Sequence, residues 1–289
     1  MNGRARLALL AAVLPAGLAS ADPAAWRVAG RNGAEITLLG SMHVMRPSDH
    51  PLPSSIDALV ERADLIVMEV DIDDIDAAAQ QRLILETAML PQGTVLEDVV
   101  DEEVYRLAEQ QMAELGVDLA QLERFEPWFL AITVLELGMR KIGFQAERGV
   151  EQYVLGRAQA AGKEIVGLET LEFQIGLFDA LPPEQQQALL EQTLGELDEG
   201  AAALGEMVTA WRDGELESLS AELLDEFDQF PGLYETIVTK RNRAWVPALE
   251  RMLADGRRRL VVVGALHLVG PDSVIDQLRE RGHDVERLQ

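Results

Sequence analysis

Short apolar runs closed by glycine punctuate this chain, and two of them lead into the same Gly-x-x-His pattern. Ile36-Thr37-Leu38-Leu39 runs into Gly40-Ser41-Met42-His43, and Leu260-Val261-Val262-Val263 runs into Gly264-Ala265-Leu266-His267. Runs of this length, rich in aliphatic residues and ended by glycine, predict buried strands. Leu65 to Val70 and Glu164 to Glu169 predict two more, with Glu69 and Glu169 at their ends. Trp26 to Ala29 and Ile36 to Leu39, separated by Gly30-Arg31-Asn32-Gly33, predict an opening hairpin. Elsewhere the pattern turns helical. Ser54 or Ser55 caps a short helix through Ala63, and residues from Asp76 to about Gly143 read as helices with Gly116 and Gly138 as breaks or stops. Gly149 to Ala161 is a further helix ended by Gly162, and residues 170 to about 253 are helical again, with Pro183 suited to a first turn. A helix from about Pro271 to Arg281 and a strand from Val285 to Leu288 close the chain.

These elements predict an α/β fold: a central, mostly parallel sheet flanked by helices, an N-terminal β-hairpin, and largely helical insertions at about 76–163 and 170–253. No repeat, low-complexity tract or linker divides residues 22–289, which read as a single domain. The stripe Trp128, Ile132, Leu135 predicts core packing.

A parallel sheet places the C-terminal ends of its strands on one edge, where ligands bind. His43, Glu69, Glu169 and His267 all fall there, although the two histidines are more than 200 residues apart and the chain has only four. Two histidines with one or two carboxylates suit a divalent transition metal that keeps positions open for water and substrate. Without a metal, the same groups supply a His general base oriented by a carboxylate. The glycine three residues before each His permits a close backbone approach. His50 and His283 read as solvated loop residues. Asp71, Asp73, Asp74 and Asp76 lack the glycine and glutamate of a calcium loop and read as an acidic, helix-capping turn. In Lys240-Arg241-Asn242-Arg243-Ala244-Trp245, Arg241 and Trp245 share a helical face. Arg241 or Asn242 could hold a substrate carbonyl or carboxylate, or Arg241 could pair with an acid.

Composition narrows the class. A formal charge of −25 over 289 residues argues against binding a nucleic-acid backbone and favours cationic partners or metal ions. Cysteine is absent, which excludes disulfides, thiolate metal sites and thiol nucleophiles. The 48% of hydrophobic residues suffices for a sizeable core. Arg4 and Arg6, the apolar stretch Leu7 to Leu18, and Ala19-Ser20-Ala21 form a signal-peptide pattern over residues 1–21, with Asp22-Pro23 opening the mature chain. That stretch is too short to span a bilayer comfortably, and no other run approaches the length required.

Taken in order, these segments resemble the TraB/GumN family, which includes the Tiki-type metalloproteases. The resemblance rests on Gly40-Ser41-Met42-His43-Val44, Ile66-Val67-Met68-Glu69, Pro127-Trp128 and Gly149-Val150-Glu151-Gln152-Tyr153. It continues through Gly167-Leu168-Glu169-Thr170 with Gln174, Arg241-Asn242, and Val263 through Pro271. It implies the α/β fold of erythromycin-esterase-like and ChaN-like proteins, with a site built from the paired Gly-x-x-His motifs and a glutamate. Tiki-type members are secreted or membrane-tethered peptidases dependent on manganese or cobalt, which points to His43, Glu69 and His267 as metal ligands. Glu151 stands where many members have an aspartate, a departure that reads as minor.

The expectation is an exported, periplasmic or secreted, metal-dependent hydrolase acting on a peptide or protein. Mn²⁺ or Co²⁺, or else Zn²⁺ or Fe²⁺, would be held by His43, Glu69 and His267. Glu169 would be a second carboxylate, as ligand or general base, while Arg241 and Asn242 would steady an oxyanion or a substrate terminus. A metal-free esterase with His43 as general base is one alternative. A non-catalytic envelope protein that binds haem, iron or a partner is another.

Overall fold

The computed structural model describes residues 22–288, apart from 72, 74, 75, 197–199, 226 and 228–230. The signal-peptide pattern of residues 1–21 and Asp74 of the acidic turn lie outside the described residues. Among the described residues no helix is long and apolar enough to cross a membrane.

Six strands form one sheet: β1 (Ala25–Ala29), β2 (Glu35–Ser41), β3 (Leu65–Val70), β4 (Glu164–Glu169), β5 (Arg258–Gly264) and β6 (Val285–Leu288), in the order β4-β3-β5-β2-β1-β6. The four strands β4, β3, β5 and β2 run parallel, while β1 pairs antiparallel with both β2 and β6. The α/β fold and the opening hairpin are as the hydrophobic pattern predicts. Alternate side chains of the strands feed two layers. Leu39, Met68 and Val262 pack with Ile56 and Val60 of helix Ser54–Arg62 and Val150, Val154 and Ala158 of helix Val150–Ala160. Leu38, Val67 and Val261 pack on the other face with Trp245, Val246 and Leu249 of helix Lys240–Met252 and with Ile275 and Leu278. A third cluster, from Leu96 to Val134 with Leu190 and Leu194, is built by helices and their connections, with no strand residue.

Three readings are corrected. Ser54 and Ser55 do not cap the first helix; they are its first two residues, and Pro53 holds the cap position. Gly138 does not break a helix; it is buried inside helix Pro127–Lys141, and the stop is Gly143, whose φ of +92° a side chain would strain. Of the stripe on that helix only Trp128 is core, whereas Ile132 and Leu135 are 36% and 44% exposed. Gly116 does end helix Glu102–Glu114, with φ +80°. Asp76 caps helix Ala77–Thr87 by accepting from the amides of Ala78 and Ala79.

The chain leaves β3 for its neighbour β4, then returns to β5 on the other side of β3. Strand order therefore reverses around β3, and such a switch point opens a crevice at the C-terminal ends of the strands. Glu69 lies at that end of β3. In the adjacent pair β5 and β2, Ser41 is in register with Gly264, which brings the two Gly-x-x-His motifs side by side.

Candidate functional site

The four strand-end residues meet in one cluster, joined by groups from two helices. Glu69 projects towards the layer that holds helix Lys240–Met252. Its Oε2 accepts from Arg241 Nη2 at 2.5 Å and from Gln174 Nε2 at 3.1 Å. Its Oε1 accepts from the Gly264 amide at 2.7 Å. Arg241 also reaches Glu169 at the end of β4, through Nη2 at 2.8 Å and Nε at 3.0 Å to Oε2. One buried guanidinium thus spans the ends of β3 and β4, the charge-assisted fork geometry that arginine provides. Its remaining nitrogen, Nη1, donates to the Ile237 carbonyl at 3.0 Å and faces His267 Nε2 at 3.2 Å. Trp245, one turn along the helix, lies under it with the guanidinium carbon 4.8 Å from the ring centre.

Each histidine is held by its Nδ1. Asn242 donates through Nδ2 to the Asp272 carbonyl at 3.0 Å, so its Oδ1 accepts from His267 Nδ1 at 2.7 Å. That fixes the proton on Nδ1 and leaves the Nε2 lone pair facing the cluster. Burial, reinforced by the charges of Arg241 and His43, lowers the His267 pKa to about 3, so this ring is neutral at pH 7. His43 is its opposite. Its Nδ1 lies 2.6 Å from Glu151 Oε1, in the first turn of helix Val150–Ala160, and Ser41 Oγ donates to the same oxygen. The Glu151 charge outweighs burial and raises His43 to about 9, although 64% of its side chain is exposed. For Glu69, burial opposes ionisation, but the surrounding positive charge and the Gly264 amide overcome it and hold the carboxyl at about 2. At the low pH where Glu69 titrates, His267 is charged and contributes most, followed by His43 and Arg241; near pH 7 His267 is neutral and the last two supply the charge.

Glycine shapes this centre twice. A Cβ on Gly264 would lie 3.0 Å from His43 Nε2 and 3.4 Å from Glu69 Oε1, so its absence opens a small space between base and acid. A Cβ on Gly149 would strike the His43 carbonyl at 2.2 Å, so only glycine lets the Glu151 helix approach the His43 loop.

A metal does not fit the groups as they stand. Among the described residues no set of three or more His, Asp or Glu side chains is arranged to hold an ion. The physical reason is Arg241, a cation that contacts Glu69 and Glu169 and faces the His267 lone pair.

His43, Glu69, Glu169, Arg241, Asn242 and His267 are therefore neighbours in space. His50 and His283 are bound elsewhere, to the Arg148 carbonyl at 2.9 Å and to Glu250 at 3.1 Å. Arg241 and Asn242, expected to face substrate, direct the bonds above to protein partners. Two residues without an assigned role join the cluster: Glu151 and Gln174, which also donates to Glu169 Oε2 at 3.3 Å. Their signal is local. Each lies near the start of a helix beside a motif end, where a long polar side chain can reach back to the strand edge.

The geometry defines an α/β protein with a buried His–Glu–Arg cluster at the switch point of its parallel strands. The chain belongs to the TraB/PrgY/gumN family, which it matches over residues 24–287. It is similar to the "Uncharacterized protein YbaP" of Escherichia coli (strain K12), with 29% identity over 84% of this chain and 87% of the relative. An "Uncharacterized protein" of Treponema pallidum (strain Nichols) is 25% identical over 93% of this chain and 83% of its own. No solved structure matches.

Proposed function

We propose that the protein is a hydrolase that activates water in the space beside Gly264, between His43 Nε2 and Glu69 Oε1. The observation that supports this reading is that space itself, with a titratable imidazole on one side and a fixed carboxylate on the other. Neutral His43, its Nδ1–H held by Glu151, takes a proton from water at Nε2 as the oxygen attacks an ester or amide carbonyl. The imidazolium, stabilised by Glu151, then returns that proton to the leaving group. Glu69 orients the water through Oε1, and Arg241 and the Gly264 amide keep that carboxylate ionised. These steps use the chain's own groups.

One feature favours a second, metal-dependent reading with Mn²⁺ or Co²⁺. Both imidazoles present Nε2 while a partner holds Nδ1, as in many His–metal sites. Assays of simple esters and of an unstructured peptide library, with and without a chelator, separate the two. Turnover that survives the chelator and falls about 100-fold or more in Glu69→Gln supports the proposal. Turnover that requires added Mn²⁺ or Co²⁺ overturns the metal-free account. No turnover under any of these conditions removes the hydrolase and leaves a binding protein, with a haem absorption band as its next measurement.

We further place this activity in the periplasm or outside the cell, on the strength of the pattern in residues 1–21. N-terminal sequencing of native protein should begin within a few residues of Asp22, and retention of Met1 would refute export.

A further inference from the structure

Beside the polar cluster lies an apolar cavity of about 340 Å³, at the lower end of the size range of small-molecule pockets. Its walls come from helices Pro127–Lys141, Leu171–Asp179, Pro183–Glu196 and Gly200–Asp213, and from the π-helical turn Glu235–Thr239. Two of these elements serve both places. The π turn puts Ile237 into the cavity wall while the Ile237 carbonyl accepts from Arg241 Nη1. Helix Leu171–Asp179 gives Gln174 to Glu69 and Glu169, and one turn later gives Phe178 to the cavity. Residues four apart share a helical face, so the cavity wall and the group that holds the acidic pair stand on successive turns of one helix.

The lining selects its occupant. The polar side chains in the wall are already engaged: Thr193 Oγ1 donates to the Leu189 carbonyl at 2.8 Å, and Gln192 has a partner of its own. A peptide segment in this space would bury amide groups that need hydrogen bonds. A hydrocarbon chain has no such need. Ile132 and Leu135, partly exposed on the cavity wall, leave apolar surface within reach of an entering ligand.

We infer that this cavity is an acyl-chain site, and that the substrate is an ester or amide of a linear hydrocarbon acid whose carbonyl lies at Glu69 and His43. This rests on the hydrolase reading for the carbonyl and on the cavity for the chain. The two can fail separately, because binding is measurable without turnover.

The test uses the full mature chain and a fluorescent polyene fatty acid, cis-parinaric acid, displaced by straight-chain alkanoates of increasing length. Saturable binding at one site per chain is expected, with competitor affinity rising about fourfold per methylene. Ile132→Glu and Leu135→Glu place a charge in the wall at partly exposed positions. Each should weaken binding by about tenfold or more, since a bound hydrocarbon chain would take the new charge out of water, while the free protein leaves it solvated and Tm little changed. Leu85→Glu, at an exposed leucine that is 46% accessible and outside the cavity, should leave binding unchanged. Absence of saturable binding, no dependence on chain length, or equal weakening in all three variants would overturn the acyl site. Binding as expected without hydrolysis of any acyl ester would sink the hydrolase and leave the acyl site standing. Hydrolysis of an acetyl ester as fast as a decanoyl ester, with no parinaric acid bound, would do the reverse.

Discussion

At the scale of single residues, the two histidines are the same side chain tuned in opposite directions, and each direction makes a prediction. Glu151 raises His43 to about 9, so its proton-accepting form grows as pH climbs from 7 to 9. The kcat/KM for ester hydrolysis should rise through that window. In Glu151→Gln the carboxylate charge is gone, the imidazole returns towards its ordinary value near 6.5, and the inflection moves down with it. An NMR titration of the His43 ring checks this independently of turnover, and an unmoved inflection would remove Glu151 as the cause. His267 works the other way. Folded, it binds a proton only below about 3; unfolded, it does so below its ordinary 6.5. The stability it contributes is therefore complete above pH 6.5 and is lost as pH falls towards 3. Glu69, depressed to about 2, adds a loss in the same direction from about pH 4.5 downward. Urea midpoints should fall between pH 7 and pH 4 in the wild type and fall less in His267→Gln. Equal slopes would contradict a buried neutral imidazole.

At the scale of elements, close approach decides which substitutions harm the fold and which harm only the site. Gly149→Ala drives a Cβ against the His43 carbonyl, so helix Val150–Ala160 or the His43 loop must shift. A cost of about 1–3 kcal/mol is expected in chemical denaturation. Gly264→Ala meets side-chain atoms of His43 and Glu69 at 3.0 and 3.4 Å, which yield more easily. It should leave Tm nearly unchanged and cut turnover severely, and equal losses in both variants would refute the distinction. The same scale shows what was legible in the chain. Strands β3 and β4 and the hairpin could be read because apolar runs stopped at Gly, Glu or Asp-rich turns. The strand ends alone put His43, Glu69, Glu169 and His267 on one rim. Gly138 misled because a glycine inside a helix also serves packing, and sequence alone does not separate that from a stop. Ile132 and Leu135 misled because helical periodicity shows an apolar face without showing what covers it. Glu151 passed as ordinary because an acid in a first helical turn is already favoured by the helix dipole.

At the scale of the whole molecule, the helical insertion and the sheet are joined through Arg241, and this was the least legible feature. Its partners Glu69 and Glu169 are 172 and 72 positions away, so only the strand order β4-β3-β5 determines that one guanidinium can span both. The ion pair is also buried, with the Arg241, Glu69 and Glu169 side chains 9%, 13% and 7% exposed. Removing one partner of a buried pair leaves the other charge unpaired, at a cost of about 3–5 kcal/mol. Arg241→Met keeps apolar bulk over Trp245 but strands Glu69 in a site where burial alone disfavours its charge. The variant should lose stability on that order at pH 7. Losing the guanidinium removes one of the charges that hold the Glu69 carboxyl down at about 2 and shifts its pKa upward, so the variant loses less than the wild type on acidification and the deficit should shrink between pH 7 and pH 4. Denaturation midpoints of both proteins at the two pH values measure it. A deficit that stays constant or grows on acidification would mean that Arg241 stabilises the molecule by packing, and that the carboxylates do not depend on it.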